Sequence, residues 1–315
     1  ISSSELRSVV TLPINLPDTA YTVKIKNSGT EISNSVVVYL GGVGSVGTTK
    51  PITLGRLIYF GYGGVDCNIN NGGKTNFTDE VAQFTNVADI CVKNPTDNIV
   101  DRLTLQKENS TGSLLTFQSI FFDFVSTGAL DISKPVGGSG LRYFLRPDYR
   151  ERWNTFVSIN NLTAHTNQIK GIYVMDEPTW NGVTFEDLKT AADTIKATFP
   201  SVPLFVIEGY PSVEYLRVPT SVDAIGFDRY GVKNPNTDPT YKREYGILKS
   251  KRSLPQQKII IVMDGAWRSG LQGAAGLTKE DMSQVATNYY NFALADPDVS
   301  ALVVNLWPNG FAASD

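Results

Sequence analysis

The chain is 315 residues long, with 28 Lys and Arg against 31 Asp and Glu for a formal net charge of −3. No basic run exceeds the pair Lys251-Arg252, which excludes the electrostatic footprint of a nucleic-acid binder, and no apolar stretch approaches the ~20 residues needed to span a bilayer. One His and two Cys leave no usual zinc-ligand pattern, and only His165 could serve a Ser-His-Asp or Cys-His arrangement, so the chemistry falls to Asp, Glu and Tyr.

Residues 1–50 differ in pattern from the rest of the chain. Val23-Lys24-Ile25-Lys26 and Val36-Val37-Val38-Tyr39 flank an Asn-Ser-Gly-Thr turn and predict a β-hairpin, an N-terminal extension or small β module. Gly41 to Gly47 lacks the strand-turn-helix setting of a phosphate loop and is expected to be a link. The opening Ile1-Ser2-Ser3-Ser4, in place of Met, suits a chain whose signal segment has been removed, so a secreted or periplasmic monomer is expected.

From residue 51 to 315 the pattern changes to apolar, β-rich runs separated by segments of helical period or by Gly, Pro and Asn clusters. There are eight such runs, at residues 57–62, 87–92, 114–125, 169–175, 203–207, 222–227, 258–263 and 301–306. Eight strands alternating with helices predict an α/β fold, a closed (β/α)8 barrel. Helices are expected at 147–163, where Pro147 suits the first position, and at 184–199, where Thr184 precedes Asp187 in capping-box fashion. Two more are expected at 240–251 and 278–295, each with a Thr at its start. His165 falls at a helix end, a surface or capping position, and Trp153 falls in a helix core. Cys67 and Cys91 lie after the first strand and in the second, which permits a disulfide or a free buried Cys91.

If the barrel closes, its strand ends converge on one mouth, and the residues there are acidic and aromatic. Strand four brings Asp176 and Glu177, strand five Glu208 and Tyr210, strand six Asp228 and Tyr230, strand seven Asp264 and Trp267, and strand eight Trp307. Strands one and three add Asp66 and Asp123. Cleaving a glycosidic bond needs one protonated and one ionised carboxyl, and crowding acids in one mouth separates their pKa values to provide both. Trp180, Trp267 and Trp307 follow strand ends, and an indole face suits the C–H side of a sugar ring. Structural roles suit some of the same residues: Asp-Glu-Pro can start a helix, Asp228 and Asp264 can form turns, and Glu208 can pair with Arg217.

The run Gly171-Ile172-Tyr173-Val174-Met175-Asp176-Glu177-Pro178, followed by Val222-Asp223-Ala224-Ile225-Gly226-Phe227-Asp228-Arg229-Tyr230, resembles the TIM-barrel glycoside hydrolases, in which strand four ends in Asn-Glu-Pro or Asp-Glu-Pro. In the large retaining clan on this fold the resemblance implies Glu177 as acid/base, with Asp264 standing where a strand-seven Glu is the nucleophile. Adjacent Asp176-Glu177 also resembles hexosaminidase-type barrels, where the Asp orients the substrate's acetamido group as nucleophile, the Glu is the acid, and Tyr230 would help hold the acetamide.

The expectation is therefore a glycoside hydrolase acting on an oligo- or polysaccharide, with Glu177 as general acid/base and Asp264 or Glu208 as second carboxylate. Asp228, Tyr230, Tyr210, Trp180, Trp267 and Trp307 would contact the carbohydrate, with no metal or organic cofactor required. The alternatives are substrate-assisted hydrolysis through Asp176-Glu177 and a barrel that binds glycan without cleaving it. A barrel kept only as a structural scaffold would have its mouth filled by its own loops, for which the segment 126–146 is long enough.

Overall fold

The computed structural model describes residues 57–67 and 74–307 in full, together with the backbone of four short strands between residues 20 and 39. By its contacts the chain separates into two units, Ile1–Ile52 and Thr53–Asp315. In the first unit Ala20–Val23 pairs antiparallel with Val36–Tyr39, and Lys26–Asn27 pairs antiparallel with Thr30–Glu31. The expected strand Val36–Tyr39 pairs with Ala20–Val23 and not with Val23-Lys24-Ile25-Lys26, and the second, shorter pair flanks the Asn-Ser-Gly-Thr turn; the Gly41 to Gly47 link lies outside the described residues.

The second unit holds a closed barrel of eight parallel strands. In chain order they are Tyr59–Tyr62, Val87–Cys91, Gly112–Thr116, Ile169–Asp176, Leu204–Gly209, Ala224–Asp228, Lys258–Asp264 and Val299–Asn305. They are apolar on both faces, as strands enclosed by helices must be. Leu204 and Val206 turn outward into the large cluster shared with the helices, while Phe205 and Ile207 turn inward to meet Leu114, Ile260, Val262 and Ala301. That alternation decides which acids at the strand ends reach the mouth.

Each of the eight expected runs overlaps a barrel strand, with ends displaced by one or two residues in most, but the third run extends well past its strand. Leu114 to Val125 is one largely apolar sequence, yet the barrel strand ends at Thr116. A one-turn helix, Gln118–Phe121, then reverses the chain into Phe122–Ser126, which pairs antiparallel with Leu141–Leu145 outside the barrel. Phe117, Ile120 and Phe121 continue the apolar run because they are buried in the core that holds Trp153 and Phe156 of the next helix, not because they extend the strand.

The outer helices follow the expected capping chemistry with small displacements. Thr184 accepts a hydrogen bond from the Asp187 N–H at 3.1 Å and opens Phe185–Thr198. The next long helix, Pro239–Ser250, is capped by Asp238, which accepts from the Tyr241 N–H at 2.7 Å, so it starts at Pro239 and not at Thr240. The expected helix at 147–163 is Tyr149–Ile159 followed by a short turn, Leu162–His165, with Trp153 buried as expected and its indole N–H on Thr198 Oγ1 at 2.9 Å. The last helix runs Asp281–Ala295. After strand five the chain forms only the short helical segment Tyr210–Tyr215, which keeps the way to the mouth short on that side.

Candidate active site

Strand four delivers the central residues. Asp176 ends the strand, and Glu177 follows with φ at +43°, a left-handed conformation that costs a non-glycine residue about 1–2 kcal/mol. Two backbone hydrogen bonds hold it there: Glu177 N–H donates to Ile207 O at 2.7 Å, and Asn181 N–H donates to Glu177 O at 2.8 Å. The helix that comes next begins only at Phe185 on its own Thr184 cap, so Asp-Glu-Pro does not serve as a helix start. The bend turns the Glu177 carboxyl against Gly209, where an added Cβ would lie 2.8 Å from Glu177 Oε1.

At the carboxyl ends of the strands lies an open hollow of about 260 Å³, lined among others by Thr116, Gln118, Tyr173, Asp176, Asp228 and Tyr230. Its floor is the Tyr173 ring stacked on Phe205, centroids 5.0 Å apart and planes 3° from parallel. The segment 126–146 does not fill it. That segment instead lies along the turn after strand four, with backbone hydrogen bonds from Gly137 to Thr179, Ser139 to Trp180 and Tyr143 to Asn181 at 2.9–3.2 Å.

Three carboxyls from strands four and six interact at this mouth. Burial raises Glu177 to about 9, and the charges of Asp228, Asp176 and Glu208 push in the same direction. Protonated Glu177 donates a hydrogen bond to Asp228. Asp228 is itself raised to about 7, by burial first and by Asp176 second, while the Tyr230 hydroxyl donates to its Oδ2 at 2.9 Å. Asp176 is the exposed member; the walls around it raise its carboxyl, and the Tyr173 hydroxyl donating to Oδ1 partly offsets the rise. One oxygen of Asp176 is thus held by Tyr173, and the residue lines the hollow.

The remaining acids are committed to the protein. Glu208 follows inward-facing Ile207 and therefore turns outward; fully buried, it accepts from the N–H groups of Thr179 at 2.8 Å, Trp180 at 3.1 Å and Gly209 at 3.0 Å. Burial raises it to about 7 against those hydrogen bonds, and Arg217 lies over the Phe185 ring instead of pairing with it. Asp264 has the inward parity of Ile260 and Val262 but is covered: Gly231 N–H donates to Oδ2 at 2.8 Å and the Gln272 amide to Oδ1 at 2.5 Å. Its carboxyl is raised by burial, offset by these two donors. Asp66 is buried on Arg102 at 2.7 Å, and Asp123 sits on the outer hairpin paired with Arg146 at 2.9 Å, beyond the end of strand three.

Of the aromatic residues expected to contact sugar, Trp180 and Trp307 are covered, and Trp267, Tyr210 and Tyr230 are half-buried. Trp180 is 7% exposed, packed between Gly138 and Gly209, and Trp307 is 9% exposed, packed edge-on to Tyr62 with its N–H on Glu80. Trp267 donates its N–H to Leu277 O at 2.9 Å under Lys279, and Tyr210 lies beneath the Arg229 guanidinium. Tyr230 does line the hollow.

No family model matches the chain, and no curated protein matches it in sequence. Among solved structures it is similar to Saccharomyces cerevisiae Gas2 in complex with laminaritetraose and laminaripentaose, at 10% identity and a TM-score of 0.41, covering 72% of this chain and 48% of that one. It is also similar to a GH113 β-1,4-mannanase, at 10% identity and a TM-score of 0.48, covering 79% and 87% of the two chains. A thermostable mutant of the xylanase Xyn10A from Cellvibrio japonicus is a third, at 11% identity and a TM-score of 0.47, covering 81% and 89%. The chain spans about half the length of the Gas2 chains it matches. The closed strand order, and not these likenesses, establishes the barrel.

Several residues of the hollow carry no motif that marks them in the sequence. Tyr173 and Gln118 touch Asp176, the former through its hydroxyl and the latter by accepting from the Asp176 N–H at 3.4 Å. Asp89, inward on strand two, also lines the hollow, with its carboxylate taken by the N–H groups of Gly64 and Val65 at 2.8 Å and burial raising it to about 6. Beside it Cys67 and Cys91 form a disulfide with Cα atoms 4.6 Å apart, which decides between the two states the sequence permits. For Tyr173 and Asp89 the available signal is strand parity, since Asp89 shares a face with inward-facing Val87 and Tyr173 with Gly171, which faces Phe205 and Leu114.

Proposed function

We propose that this protein hydrolyses glycosidic bonds at the barrel mouth, with Glu177 as the general acid/base. The supporting observation is the three-carboxyl cluster, in which Glu177 keeps its proton up to about 9 beside Asp176, which lines the hollow. An acid that is still protonated at neutral pH can give its proton to a leaving oxygen, and a second carboxylate must then meet the charge that develops on the sugar.

Two readings differ over that second group. In the first, Asp264 attacks the anomeric carbon; in the second, Asp176 orients an acetamido group that attacks from within the substrate. The second is favoured because both oxygens of Asp264 are taken by Gly231 and Gln272 in a buried setting, whereas Asp176 lines the hollow. In that sequence Glu177 protonates the leaving oxygen as its bond to the anomeric carbon breaks, and the acetamido oxygen bonds to that carbon while Asp176 accepts from the acetamido N–H. Glu177, now ionised, takes a proton from water as the water oxygen adds to the anomeric carbon and displaces the acetamido oxygen. Asp228 holds the Glu177 proton before substrate arrives.

The test compares wild type and Glu177→Gln on nitrophenyl glycosides and unactivated disaccharides, each with an acetamido and a hydroxyl sugar. Wild type should cleave the acetamido members, and the variant should lose about 10³-fold on the disaccharides, whose leaving oxygen needs a proton. Cleavage confined to hydroxyl sugars would return the role to Asp264. Binding without cleavage would leave a glycan-binding barrel, and a fully active variant would end the assignment of Glu177.

A further inference from the structure

The acids lack an open aromatic wall on the loops where the sequence places tryptophans, but one exists on the outer hairpin. Its two strands, Phe122–Ser126 and Leu141–Leu145, pair so that Phe124 stands opposite Tyr143, with ring centroids 5.1 Å apart and planes tilted by 34°. Phe124 is 52% exposed. Counting Val125, Leu130, Ile132 and Val136, five of the eleven exposed large hydrophobic side chains among the described residues lie on this one insertion, with Val125 on the strand face opposite Phe124. Such clustering on a surface marks a binding face more often than chance exposure.

The insertion is held in place rather than loose. Arg146 pairs with Asp123 at 2.9 Å and donates to Phe122 O at 3.0 Å, and Tyr143 N–H donates to Asn181 O at 2.9 Å, which ties the hairpin to the turn that carries Glu177. The face also continues into the site. Tyr143 lies within electrostatic reach of Gln118 and Asp176, Gln118 lines the hollow, and its side-chain oxygen accepts from the Asp176 N–H at 3.4 Å. Phe124, Tyr143, Gln118 and Asp176 therefore follow one another from solvent toward the acids.

We propose that Phe124 and Tyr143 form a second saccharide-binding platform, so that the protein holds a glycan chain of at least two rings, one at Asp176 and Glu177 and another stacked on the hairpin. Continuity with the carboxylate hollow selects a sugar chain over a protein or lipid partner, because an apolar face flanked by the hydrogen-bonding groups of Gln118 and Asp176 matches the alternating C–H and hydroxyl surfaces of a pyranose. The proposal rests on the glycosidase reading for the kind of ligand, but not on any step of its chemistry.

The test measures binding on the Glu177→Gln protein by calorimetry, using the monomers and β-linked tetramers of N-acetylglucosamine, glucose, mannose and xylose. At least one tetramer should bind tenfold or more tighter than its monomer. Adding Phe124→Ala should erase about tenfold of that gain, equal to about 1.4 kcal/mol, whereas Phe124→Trp should keep it. Because Phe124 is half exposed, circular dichroism and melting should match the parent. No tetramer binding more tightly than its monomer, or equal tetramer affinity after Phe124→Ala, would overturn the platform. If Glu177→Gln proves fully active while the Phe124 effect persists, the catalytic assignment falls and the platform stands.

Discussion

Replacing Glu177 by Gln should make the protein more stable at neutral pH, and increasingly so as pH rises. A carboxyl held protonated up to about 9, against its ordinary 4.5, keeps a proton in the folded state that the unfolded chain releases. The folded state then binds more protons than the unfolded one throughout that window, so wild-type stability falls with rising pH between the two values. Below the lower one the penalty is absent. Gln carries no titrating proton and is spared the loss. Each pH unit inside the window is worth at most about 1.4 kcal/mol, which sets a ceiling of about 4 kcal/mol on the change between pH 5 and pH 8. A widening of at least about 1 kcal/mol is expected, visible as a shift of roughly 2–4 °C for a unit of this size. Melting both proteins at pH 5 and pH 8 reads the difference. A gap that stays constant or narrows with pH would refute the burial argument for Glu177.

Other substitutions test the same geometry. Gly209→Ala places a Cβ 2.8 Å from Glu177 Oε1 and 3.4 Å from Trp180 Cβ, so it should displace the carboxyl and lower kcat on the order of 10²-fold, with only a modest change in melting. Asp264→Asn can still accept one hydrogen bond; in the substrate-assisted reading it should cost about 1–3 kcal/mol by denaturant unfolding and less than about tenfold in kcat, whereas a nucleophile would lose about 10³-fold or more. Cys67→Ser opens a loop closed by a disulfide of sequence separation 24 and should lower stability by roughly 3–4 kcal/mol, a loss that reductant should reproduce in wild type.

The barrel was legible in the sequence because parallel strands buried on both faces leave continuous apolar runs, and each of the eight runs overlaps a strand. The third run misleads for the same reason: Phe117, Ile120, Phe121 and Phe122 are buried in the core outside the barrel strands, and a one-turn helix is too short to impose a helical period. Among the acids, Asp176, Glu177 and Asp228 could be placed from their motifs. Glu208 could not, because its outward turn is fixed by the register of Phe205 and Ile207, which only the closed sheet reveals. The tryptophans show the limit of reasoning from distance along the chain. Trp180 and Trp307 follow strand ends as expected, yet packing under Gly138 and against Tyr62 covers them. The open aromatic surface lies instead on a hairpin whose strands carry no mark of their place beside the mouth.

The pH dependence of kcat/KM for wild type and Asp228→Asn tests the central claim most directly. Glu177 must hold its proton to act as the acid, so activity should fall on an alkaline limb near 9 in wild type. Removing the Asp228 charge and weakening the acceptor should move that limb down by at least about one unit. A limb that is absent, that lies in the ordinary carboxyl range, or that stays fixed when Asp228 is neutralised would contradict the account.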